Sequence, residues 1–221
     1  MGKRVEDIFQ PMSTRVIRVL LTRPRDRWRI LTLAKEAQVS LGWTHAVVTT
    51  LQEQRYVVRD ENYRVKIVDP TRLLKRWAAF HDFLSQNEYK SFQMFEQNLD
   101  NVLNKLRSVS APYALTGLVG AWLVAPSVRP VTFDIYVQRR RETDKITKAM
   151  ELRPVEKGGN VRLVLPKDSG VFYGAKVFDS VKIVSNVQLY VDLVNYPARG
   201  EEASVELLRL IQEDWSKALT E

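Results

Sequence analysis

"VTFDIYV", residues 131–137, is a short alternating run with one carboxylate set among apolar neighbours. Strand periodicity sends Val131, Phe133, Ile135 and Val137 to one face and Thr132, Asp134 and Tyr136 to the other. Asp is disfavoured in strands and is seldom buried without a partner. Asp134 is therefore a candidate catalyst, ligand or structural acceptor, and its neighbours in the chain decide among these roles.

Upstream of it, "YALT" (113–116) predicts a strand, and "GLVGAWLVA" (117–125) a small apolar helix opening at Gly117. Downstream come a polar helix over 139–152 and strands over 160–166, 175–185 and 187–196. A C-terminal amphipathic helix over 201–218 closes the chain. Between 69 and 109 the aromatic and leucine stripes of "DPTRLLKRWAAFHDFL" and "SFQMFEQNLDNVLNKLRSV" predict two connecting helices, either one a candidate homodimer contact.

Composition bounds what such a chain can do. Hydrophobic content of 45% and charged content of 27% suit a globular fold, and no apolar run is long enough to span a bilayer. The stretch "MGKRVEDIFQ" lacks the apolar core of a signal peptide. With no Cys, disulfides and thiolate metal sites are excluded and a cytoplasmic location is expected. His45 and His81 alone cannot build a zinc cluster, and neither a metal nor a cofactor is expected. The charge is partitioned: residues 1–80 hold 16 Lys and Arg against 8 Asp and Glu, while the rest of the chain holds 18 of each. The whole net charge of +8 thus lies on the first third, as expected of a polyanion-binding module joined to a neutral domain.

That first third carries "LTLAKEAQVSLGWTHAVVTTLQEQRYVV" (31–58). Leu31, Leu33, Ala34 and Ala37 form one helical face, and "QVS" makes a turn in which Ser40 caps a second helix. Thr44, Val47, Val48 and Leu51 give that helix a one-sided stripe. Ser13 is expected to cap an earlier helix whose Val16, Ile17, Leu20 and Leu21 complete a three-helix core. Residues 55–69 alternate as a hairpin, and "RDRWRI" (25–30) reads as a third strand beside it. Over residues 12–69 this order resembles winged helix-turn-helix domains. The resemblance implies double-stranded DNA as partner, with the second helix in the major groove. Ser40, Trp43, His45 and Thr49 then lie at the base-reading end, Leu41, Gly42, Ala46 and Thr50 share the outer face, and Arg25, Arg27, Arg29, Arg55, Arg59, Arg64 and Lys66 serve the phosphates.

The C-terminal half resembles the minimal nucleotidyltransferase core, in which a Gly-Ser pair opens a helix and three Asp hold metal. Thr116-Gly117 stands at the pair, Asp134 at the first Asp and Asp192 at the third, while Tyr136 occupies the second Asp position. With that ligand replaced, the resemblance implies a degenerate, non-catalytic site. The fold expected is α+β, a winged helix-turn-helix over 1–69, connecting helices over 70–110 and a small mixed-sheet domain over 111–221. Together with the ending "LYVDLVNYPARGEEASVELL", this order resembles the AbiEi-type antitoxins, transcriptional regulators of abortive-infection toxin–antitoxin pairs. The resemblance implies promoter binding and a nucleotidyltransferase-type toxin as counterpart. Two alternatives stay open: an active nucleotidyltransferase that holds its substrate with the winged helix, and a one-component sensor with a ligand surface around Trp122 and Phe133.

Overall fold

The structure, a computed structural model, describes residues 4–220, which divide into two compact units, 4–80 with 209–220, and 81–208. Its class is mixed α+β. Among the described residues no helix is long and apolar enough to cross a membrane.

The first unit opens with helices α1 (Pro11–Thr22), α2 (Ile30–Ala37) and α3 (Leu41–Glu53). Val16, Ile17, Leu20 and Leu21 of α1 pack with Leu33, Ala34 and Ala37 of α2 and Val47, Val48 and Leu51 of α3, all buried. Ser40 caps α3, its side chain accepting from the Trp43 amide at 3.3 Å. Ser13 does not cap α1. That helix starts earlier at Pro11, whose fixed φ suits a first turn, and Ser13 is buried inside it. Leu31 also departs from expectation and is exposed.

Strands β1 (Val57–Arg59) and β2 (Val65–Ile67) form an antiparallel hairpin, with Val58 opposite Lys66. The expected strand at 25–30 shrinks to one bridge, in which Trp28 and Val65 exchange backbone hydrogen bonds of 2.9 and 2.7 Å. It can extend no further because Arg29 already caps α2. Helix α4 (Pro70–Phe80) ends the N-terminal part of the unit.

The second unit holds a seven-stranded mixed sheet. Its strands are β3 (Glu88–Gln93), β4 (Tyr113–Thr116), β5 (Phe133–Val137), β6 (Arg153–Pro154), β7 (Val161–Leu165), β8 (Lys176–Phe178) and β9 (Val181–Ile183). The order across the sheet is β6-β3-β7-β5-β4-β9-β8. At its centre β5 runs parallel to β7 and antiparallel to β4. Helices α5 (Leu99–Arg107), α6 (Gly117–Val124), α7 (Thr143–Ala149) and α8 (Asn186–Val194) belong to this unit, and α9 (Gly200–Thr220) runs from it into the first.

Three sequence expectations need correction here. Residues 91–109 are not one helix: Ser91–Gln93 end strand β3, and Asn98, accepting from the Asn101 amide, starts α5 afresh. Residues 175–185 are a hairpin rather than one strand, because Asp179 and Ser180 both take positive φ and reverse the chain. Residues 187–196 are helix, not strand. Ser185 caps α8 by accepting from the Gln188 amide, and residues 187–193 are buried all round, so helical and strand periods look alike.

Candidate functional site

Asp134 sits mid-sheet on β5 with its side chain fully buried. Val131 lies outside the strand and is exposed, while all five residues from Phe133 to Val137 are buried. The sheet is therefore covered on both faces at this point, and alternation says nothing about exposure. The parallel partner strand places Arg162 in register with Asp134. Arg162 grips the carboxylate with two donors, Nε to Oδ1 at 2.6 Å and Nη2 to Oδ2 at 3.1 Å. The Tyr196 hydroxyl donates to Oδ2 as well, and it also meets Arg162 and Thr132.

Burial pushes the Asp134 carboxyl above the ordinary range, and the hydrogen bonds and charge of Arg162 oppose that rise. For Arg162, burial works against the charge, but Asp134 outweighs it and holds the guanidinium firmly cationic. Burial, then the neighbouring carboxylate, drives the Tyr196 hydroxyl far upward, so it stays a donor.

Asp192 projects from helix α8 rather than from a strand, so it does not reach the site in the way the nucleotidyltransferase resemblance expects. It is buried and takes four donors. Thr116 Oγ1 reaches Oδ2 at 2.6 Å, while Gln188 Nε2, His81 Nε2 and the Tyr136 hydroxyl reach Oδ1 at 2.7, 3.0 and 3.2 Å. The Thr116, Gly117, Asp134, Tyr136 and Asp192 set is thus brought together, and Arg162, Tyr196, Gln188 and His81 join it unforeseen. A signal for one of them was present: Gln188 and Asp192 stand four apart, the spacing of a helical side-chain pair. Gly117 has φ +59°, and a Cβ there would lie 2.6 Å from Asp134 Oδ2.

A carboxylate offers about four lone-pair sites, and here Asp192 meets four donors and Asp134 meets three. A metal ion would have to displace these donors and then face the Arg162 cation. The residues do not fit a metal pair. Among the described residues no group of three or more His, Cys, Asp or Glu could hold a metal ion.

In the first unit, His45 is exposed on α3 and Thr49 half-exposed, with His45 Nδ1 and Thr49 Oγ1 3.4 Å apart. Trp43 is half-buried, its indole donating to Ser13 Oγ at 3.2 Å. Ala46 and Thr50, expected on the outer face, are buried instead. The Thr50 hydroxyl accepts from the Val5 amide at 3.2 Å, so the segment ahead of α1 covers that side. The outer face narrows to Leu41, Gly42, His45 and Thr49 with the rim of Trp43.

The cations around it are placed as follows. Arg29 is exposed at the start of α2, and Arg27 is exposed beside Asp60 at 3.6 Å. Arg25 donates to the Lys217 carbonyl at 2.6 Å, and Arg59 to Gln52 at 3.3 Å. Arg64 and Lys66 are half-exposed on the hairpin. Arg72, which carries no signal in the sequence pattern, donates to the carbonyls of Gln54 and Arg55 at the C-terminal end of α3. It caps the negative end of that helix.

No curated protein and no solved structure matches the chain. A family model described as "Transcriptional regulator, AbiEi antitoxin, Type IV TA system" matches residues 66–213, about two thirds of the length. With that share of the sequence matched, the chain belongs to the AbiEi antitoxin family of transcriptional regulators from type IV toxin–antitoxin systems.

Proposed function

We propose that this regulator acts by binding double-stranded DNA through a winged helix-turn-helix in its first unit, and that its second unit is a non-catalytic relative of the nucleotidyltransferase core. The observation that carries the DNA reading is α3. It is capped by Ser40, rooted by Thr44, Val47, Val48 and Leu51, and bare at His45 beside Thr49. A helix held along one stripe and exposed along the other, with His45 and Thr49 offering hydrogen-bonding groups, suits insertion in a major groove. Ser40 opens the helix, and the edge of Trp43 beside it forms a rim against the sugars. The helix itself has no Lys or Arg, so Arg25, Arg27, Arg29, Arg59, Arg64 and Lys66 carry the phosphate contacts.

The second unit supports the inactive reading through its filled carboxylates. Two-metal phosphoryl transfer needs free acidic oxygens. Asp134 gives its own to Arg162 and Tyr196, Asp192 is saturated, and Tyr136 stands where a ligand would be. The family's regulatory role agrees with this, and it brings a toxin as functional counterpart. In this reading the winged helix-turn-helix of residues 1–69 is the DNA-binding domain and the sheet unit serves antitoxin function.

Base reading is testable with the full chain. Duplexes enriched from a random pool by the wild type are compared with unselected duplex. His45→Ala or Thr49→Ala should narrow that gap by about 1–3 kcal/mol. An undiminished gap in both variants would remove α3 from base recognition.

A further inference from the structure

The four donors on Asp192 do not share one origin. Thr116 ends β4, Tyr136 lies on β5 and Gln188 stands one turn earlier on α8, so three belong to the framework of the second unit. The fourth, His81, comes from the irregular segment 81–87. That segment is a compact turn: Asp82 Oδ1 accepts from the Leu84 and Ser85 amides, and Asn87 Nδ2 donates to the Phe83 carbonyl. It meets the framework through His81, Phe83 and Asn87, whose Oδ1 accepts from the Lys167 amide at 3.2 Å. The His81 ring reaches Asp192, with its own carbonyl accepting from Asn195 Nδ2 at 2.8 Å. The Phe83 ring is buried, edge-on to Tyr136 at 5.8 Å and tilted against Tyr196 at 5.7 Å.

We propose that His81 and Phe83 are a resident ligand, filling in cis a pocket of the second unit that recognises a planar nitrogen heterocycle. Asp192 reads the N–H donor, and Tyr136 and Tyr196 flank the aromatic ring. Without His81 the buried carboxylate is left one donor short, a state whose cost an incoming N–H group removes. Without Phe83 the two tyrosine faces border a dry apolar void, the kind of cavity that takes up small aromatics. A heterocycle with both features therefore competes with the segment for one place. This holds whether or not the first unit binds DNA.

The test is chemical rescue in the full-length chain, using imidazole as the probe. His81→Ala should melt several degrees below wild type, and excess imidazole should recover a large part of that difference. Imidazole should leave wild type and His81→Ala/Asp192→Asn unmoved. His81→Gln, which restores an N–H donor, should recover part of the Tm unaided. An unchanged Tm in His81→Ala overturns the proposal, as does an imidazole effect that is absent or equal in all three proteins. Should His81→Ala fail to fold, Phe83→Ala is melted with and without benzene. A rise in that variant alone supports the pocket, and no rise overturns it.

Discussion

At Gly117 the backbone and a buried carboxylate compete for one space. Its φ of +59° already disfavours an L side chain, and a Cβ would press on Asp134 Oδ2, which Arg162 and Tyr196 hold in place. Gly117→Ala should therefore cost about 1–3 kcal/mol in denaturant unfolding. Gly42→Ala, with nothing near its Cβ on helix α3, should be neutral or stabilising by up to about 1 kcal/mol. Asp134→Asn leaves the Arg162 guanidinium buried against a neutral amide, so a destabilisation of roughly 3–5 kcal/mol is expected. Millimolar Mg²⁺ should add nothing to the wild type, whereas a cation at a hundred times its Kd would add about 2.7 kcal/mol. From the sequence Asp134 reads as an acceptor in need of a partner. Arg162 could not be found that way, because parallel register between β5 and β7 joins residues 28 positions apart.

At the scale of elements, the hairpin turn between β1 and β2 depends on Asp60, whose Oδ1 accepts from the Asn62 and Arg64 amides. The Arg64 amide, then the Asn62 amide and the nearby Arg27 charge, hold this carboxyl below the ordinary range. A depressed folded pKa contributes stability that is present above the unfolded value of 3.8 and disappears as pH falls through the lower folded value. Amide exchange at Asn62 and Arg64 should stay slow at mildly acidic pH and quicken only below that range, whereas Asp60→Asn should show no such acid step. Legibility at this scale follows the kind of burial. Helix α3 is readable because its stripe is one-sided and its cap is local. Strand β3 is not, because Phe92 and Phe95 also fit a helical stripe and only the capping Asn98 signals that a separate helix begins. Helix α8 passes for a strand because apolar residues surround it.

At the scale of the whole molecule, the C-terminal turns of α9 return to the N-terminal helices. Trp215 is buried and donates to the Leu21 carbonyl at 3.1 Å, and Gln212 reaches Thr71. The first unit is thus discontinuous in sequence, a closure that no local pattern encodes. Trp215→Ala should destabilise it by about 3–5 kcal/mol, read as an earlier melting transition. A chain ending at Leu208 should bind duplex DNA poorly even though every residue expected to touch DNA is present. The partition of charge onto residues 1–80 leads to the most direct measurement, duplex affinity of the full chain across a range of salt. Log affinity should fall linearly with log salt. The variant with Arg27, Arg59, Arg64 and Lys66 all changed to Ala should flatten that slope by about 0.9 for each phosphate it no longer neutralises. A wild-type affinity indifferent to salt, or a slope the fourfold variant leaves unchanged, would contradict DNA binding by this face.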